Sequence, residues 1–120
     1  TRQSDNFADV LAKSIYHPNE LTPGEILELD AYYTGVLDQI QSAKANWEAG
    51  VRSSHWQVTV DFLAPTYFGN EFSRSWWNFA KAEYAKGEGE QFVATIDAAI
   101  KVAEPDRQKR LIKALQKAAD

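Results

Sequence analysis

Two histidines, seventeen carboxylates and no cysteine set the chemistry open to this 120-residue chain. Without cysteine there is no disulfide, no thiolate zinc site and no cysteine nucleophile. His17 precedes a proline and His55 opens a helical stretch, so the two are not spaced as ligands. No His-Glu-x-x-His run or aspartate-rich calcium loop accompanies them. No metal and no cofactor are therefore expected. Ser53-Ser54-His55 could supply a hydroxyl and a base, but at the start of a helix those residues read as caps rather than as part of a serine triad. Gly87-Glu88-Gly89 is flanked by acids that would repel a phosphate.

Among the carboxylates Asp30 stands out, because helical spacing places it at the edge of an apolar face beside Ile26, Tyr33 and Leu37. A carboxylate there needs a partner. A structural hydrogen bond or ion pair to a neighbouring helix is the first expectation. The alternative is proton transfer, with Asp30 or His55 as acid or base in an aromatic-lined pocket.

The pair Trp76-Trp77 raises a different question. Adjacent residues on a helix point about 100° apart, so the two rings serve different surfaces. Trp76 falls in line with Phe72 and Phe79 and is expected in the core. Trp77 turns toward Ala80 and Tyr84. It either packs under a neighbouring helix or joins Tyr84 in lining a groove for a ligand, a partner or a second copy.

The elements that must position these residues are all helical. Phe7, Val10, Leu11 and Ile15 predict a first helix over residues 3–16, stopped at His17-Pro18. Thr22-Pro23-Gly24-Glu25 is a capping box with proline at the first helical position. It opens a long helix over residues 22–49 that Gly50 terminates. Ser54 and Gln57 suggest another capping box for a third helix with Trp56, Val60, Leu63 and Tyr67 on its stripe, kinked or interrupted at Pro65 and ended by Gly69-Asn70. A fourth is expected over 71–85, with Gly87 and Gly89 breaking the chain after it. A fifth carries Phe92, Val93, Ile96, Ala99 and Ile100. The sixth, over about 105–119, follows Glu104-Pro105-Asp106 and can be peripheral.

The expected fold is thus all-α, a five- or six-helix bundle around the 22–49 helix, with residues 1–120 as a single domain. Its core should hold Phe7, Leu11, Ile15, Leu29, Tyr33, Val36, Ile40, Trp47, Trp56, Val60, Leu63, Phe72, Trp76, Phe79, Phe92 and Ile96.

Residues 1–100 carry 7 basic and 14 acidic side chains, net −7, and residues 101–120 carry 6 and 3, net +3. An acidic body argues against nucleic acid as a partner. The basic last helix, with Arg107, Lys109, Arg110, Lys113 and Lys117, is expected to complement that body or to dock on an acidic partner. No apolar run reaches the ~20 residues that span a bilayer. With no methionine in the chain, Thr1 is expected to follow a removed methionine, a cleaved segment or a cloning boundary.

The order of Phe7-Ala-Asp-Val-Leu-Ala-Lys13, Glu20-Leu-Thr22, Leu29-Asp-Ala-Tyr-Tyr33, the Trp56 region and Trp76-Trp77 resembles a set of small bacterial proteins of unknown function. In them a membrane-spanning helix precedes a compact helical domain. The resemblance covers about residues 5–85 and ends near residue 100. It implies that residues 1–120 are the soluble part, on the cytoplasmic side of a bacterial inner membrane, of a protein held there by a preceding anchor. It brings no catalytic residue, cofactor or substrate. A non-enzymatic binding or protein-interaction domain is the leading functional expectation, with Trp77, Tyr84, Asp30 and His55 as its candidate ligand or partner surface.

Overall fold

The computed structural model describes residues 6–119, and among them there are six α-helices and no strand. The helices are α1 (Phe7–Tyr16), α2 (Pro23–Glu48), α3 (Gln57–Phe68), α4 (Glu71–Glu88), α5 (Glu90–Lys101) and α6 (Arg107–Ala119), with a single 3-10 turn at Pro18–Glu20. The all-helical bundle around a long α2 is the architecture that the sequence predicts. Positions 3–5 of the expected first helix lie outside the described residues.

Local chemistry explains both ends of α2. Thr22 accepts from the Glu25 backbone N–H while the Glu25 carboxylate accepts from the Thr22 N–H, with Pro23 at the first position, where an amide proton is not needed. Lys13 on α1 reaches across to both Glu25 oxygens at 2.9 and 3.0 Å, which pins α1 to the start of α2. At the other end Gly50 takes φ 76°, the left-handed conformation that favours glycine. The Val51 and Gly50 amides then return to the carbonyls of Asn46 and Trp47, a Schellman closure.

Two local expectations are corrected, and one is narrowed. The Ser54–Gln57 capping box does not form. Instead His55 Nδ1 accepts the Gln57 N–H at 3.0 Å and caps α3. Of the kink or interruption expected at Pro65, the interruption is absent: α3 stays helical through it, and the carbonyl that loses its donor belongs to exposed Asp61, where water can take over. α4 likewise continues past Gly87 to Glu88, and only Gly89, at φ 98°, breaks it.

The core is an aromatic layer between α2, α3, α4 and α5. Phe68 lies near its centre, fully buried, with Tyr33, Trp76 and Trp77 around it at ring-centroid distances of 5.6, 5.8 and 6.4 Å. Trp56 and Tyr84 stack on Phe92 to extend the layer toward α5. Phe79, expected in this core, is 77% exposed. Trp77, expected either to pack under a neighbouring helix or to line a groove, is 1% exposed and takes the first of these places.

Both placements have one cause. The seam of α4 that meets α5 and α3 is Ser73, Trp77, Ala80 and Tyr84, at i, i+4, i+7 and i+11, and not Phe72, Trp76 and Phe79. Ser73 and Ala80 carry little apolar signal in a sequence, yet small residues let helices approach closely. Trp76 and Phe72 flank that seam on the α2 side, and Phe79 is rotated beyond them into solvent.

Candidate interaction surface

Of the four residues that the sequence nominates, the fold brings two together. Asp30 and Tyr84 line a groove between α2 and α4, along with Thr34, Gln41, Trp76, Phe79, Glu83 and Glu88. Trp77 is buried on the α5 side of α4. His55 stands on the loop before α3, its ring packed on Trp47 and Trp56 at centroid distances of 4.3 and 5.7 Å.

Trp47 is seventeen residues beyond Asp30 on α2, about 25 Å along the helix axis at 1.5 Å per residue. Asp30 and His55 therefore cannot act on one reacting centre. Each already has a structural bond. Asp30 Oδ1 accepts the indole N–H of Trp76 at 2.8 Å, and His55 Nδ1 holds the α3 amide. The partner expected for Asp30 is thus an indole on a neighbouring helix. Tryptophan can donate only from that nitrogen, so the bond satisfies the ring completely.

The groove has two contiguous halves that share Asp30, Trp76 and Phe79. One half is apolar, walled by Ile26, Leu27, Phe72 and Phe79 in a cleft of about 450 Å³. Leu27 and Phe79 are 68% and 77% exposed, and Ile26 is 41% exposed. Three large apolar side chains in solvent on two adjacent helices are the exception to hydrophobic burial that marks a contact surface.

The other half, about 440 Å³, is acidic. Asp30, Glu83 and Glu88 line it, with no lysine or arginine among its lining residues. Burial pushes the Tyr84 phenol above its ordinary range. A hydrogen bond with Thr34 opposes that shift, and the nearby carboxylates of Asp38, Asp30 and Glu83 add to it. Lys44 closes the far end, bridging Glu48 at 3.2 Å and Glu88 at 3.3 Å. Burial works against its charge, but the two carboxylates prevail and hold its proton more tightly than usual.

Sequence reasoning missed Leu27 and Phe79 as surface residues. The signal was available for Leu27, which falls off the stripe of Ile26, Leu29, Tyr33 and Val36. For Phe79 it was not, because the true seam of α4 is marked by serine and alanine. Among the described residues no group of histidines and carboxylates is placed to hold a metal ion, and no helix is long and apolar enough to cross a membrane.

Comparison of the chain with protein-family models, curated proteins and solved structures found no match.

Proposed function

We propose that this chain is a non-enzymatic interaction domain, and that its recognition surface is the α2–α4 groove. The observation that carries this reading is the exposure of Ile26, Leu27 and Phe79 beside a half-buried Phe72, continuous with an acidic half lined by Asp30, Glu83 and Glu88, where Lys44 pairs with Glu88 at the far end. From Ile26 to Gln41 the groove follows fifteen steps of α2, about 22 Å, the length of four helical turns. The partner that complements it is an amphipathic helix with apolar residues at one end and lysine or arginine at the other. Resemblance to anchored bacterial proteins supports placing the domain on a membrane-tethered chain, where such a helix would belong to a neighbouring protein.

The Trp77–Tyr84 flank offers no surface for a homodimer, since Trp77 is covered.

The test is an amide chemical-shift titration with a fourteen-residue leucine–lysine amphipathic peptide, and with its leucine–glutamate counterpart as control. The expected shifts run along residues 26–34 and 72–84 and appear for the basic peptide alone. The double variant Leu27→Asp/Phe79→Asp, both positions in solvent, should lose them at an unchanged melting temperature. Shifts scattered over every acidic patch, or retained by the double variant, would overturn the assignment. Sedimentation of the free protein reports a second copy as the occupant.

A further inference from the structure

A separate pocket of about 190 Å³ lies beneath α6, on the other side of the molecule's aromatic layer from the acidic half of the groove. Its walls come from four helices: Leu11 and Ile15 on α1, Tyr32 on α2, Tyr67 on α3, and Leu111 and Ile112 on α6. Ser14, Tyr33 and Asn70 form its floor and are buried. Leu111 stands at its rim, 42% exposed.

The chemistry of the walls selects what fits. None of the ten lining residues is charged. An ion entering would lose hydration without gaining a counter-charge. Two polar side chains of the floor are already engaged: Ser14 Oγ donates to the Leu11 carbonyl at 2.6 Å, and Asn70 accepts from the Ser73 amide at 2.9 Å. Asn70 Nδ2 also donates to Gln108 Oε1 at 2.7 Å, and Gln108 Nε2 donates to the Thr66 carbonyl at 3.3 Å. An apolar body would meet leucine, isoleucine and the faces and edges of three tyrosines there.

We propose that this pocket binds a small, neutral, mostly apolar molecule about the size of one substituted ring. Cavities of roughly 150 Å³ with walls of this kind hold a benzene ring, so 190 Å³ leaves room for one small substituent. The Tyr32 and Tyr67 rings, 5.9 Å apart and edge-on, belong to the wall, and a phenol can both donate and accept a hydrogen bond. α6 forms the cover. It is latched at its first turn by Gln108 and by Arg110, which pairs with Glu104 at 2.9 and 3.0 Å, while Leu115 farther along is 62% exposed.

The probe is p-cresol, titrated into the full chain and followed by amide chemical shifts, with benzoate as a charged analogue of similar size. The expected result is shifts centred on Ser14, Tyr33 and Ile112 with p-cresol, none with benzoate, and slower hydrogen exchange in α6 when p-cresol is bound. Ile112→Trp, which fills the pocket from the α6 side, should weaken binding at least about tenfold with helix content retained. Leu11→Trp fills it from the opposite wall and serves the same purpose should the first variant detach α6. Leu27→Asp in the α2–α4 groove should leave p-cresol binding unchanged, which separates this site from the groove. No shift at the lining residues at millimolar p-cresol, an equal response to benzoate, or unchanged affinity in both filling variants would overturn the proposal.

Discussion

Trp77 on α4 donates its indole N–H to Asp97 Oδ1 on α5 at 2.6 Å, from a position only 1% exposed. One residue earlier, Trp76 makes the corresponding bond to Asp30 on α2. Two adjacent tryptophans thus reach two different helices, each ending on an aspartate. Their 100° divergence is what lets α4 serve both neighbours.

Both rings should therefore matter for folding. Trp76→Ala and Trp77→Ala are each expected to cost roughly 3–5 kcal/mol, with Trp77→Ala at least as damaging. Urea denaturation checks this. A loss near 1 kcal/mol for Trp77→Ala would show that its site refills and that the seam of α4 has been misplaced.

Capping explains where sequence reading succeeded and where it failed. The start of α2 was legible because Thr22, Pro23 and Glu25 act within four residues of one another, and its end because Gly50 has the one side chain suited to φ 76°. The aromatic layer was legible in composition but not in orientation. Phe68 follows Val60 and Ala64 at i+8 and i+4, yet Tyr67 fits nearly the same stripe. Only the approach of α4 and α5 decides between them. The groove was half legible: Asp30 and Tyr84 were nominated, but the exposure of Phe79 depends on helices that are distant in sequence.

His55 should behave as a cap. Removing its ring in His55→Ala frees the Gln57 amide and uncovers Trp47, at an expected cost of roughly 1 kcal/mol. His55→Asn keeps an acceptor without the ring and should recover part of the loss. Equal losses in the two variants, measured by denaturant midpoints, would assign the effect to stacking and not to the hydrogen bond.

Acid should loosen the α1–α2 junction. The Glu25 carboxyl is held below its ordinary value of 4.5, first by the Thr22 backbone amide and then by Lys13. A carboxylate whose folded pKa is depressed contributes its full stabilisation above the unfolded value and loses it as pH falls through the folded one. The stability gap between the native chain and Glu25→Gln is thus expected to be constant near neutrality, to narrow below about pH 4.5 and to close in stronger acid. A gap of the same size at pH 7 and pH 3 would mean that charge plays no part at this cap.

Two glycines should respond to alanine with opposite signs. Gly69 has an ordinary φ of −81°, so its backbone does not require glycine. Its surroundings do. A Cβ there would lie 2.9 Å from the Pro65 carbonyl oxygen and 3.4 Å from that of Glu104, both backbone atoms that cannot swing aside. The same corner is tied by Arg74, which donates to the Gly69 carbonyl at 2.6 Å and to the Ala103 carbonyl at 2.7 Å and so joins the α3–α4 turn to the end of α5. Gly69→Ala must push that corner apart, at an expected cost of about 1–3 kcal/mol. Gly35 sits in the exposed middle of α2 with nothing within 4 Å of a built Cβ. There alanine only restricts the unfolded chain and improves helix propensity, so Gly35→Ala should stabilise by roughly 0.5–1 kcal/mol. Thermal or urea unfolding of both variants provides the check. A neutral Gly69→Ala would show that the two turns are not in contact as described.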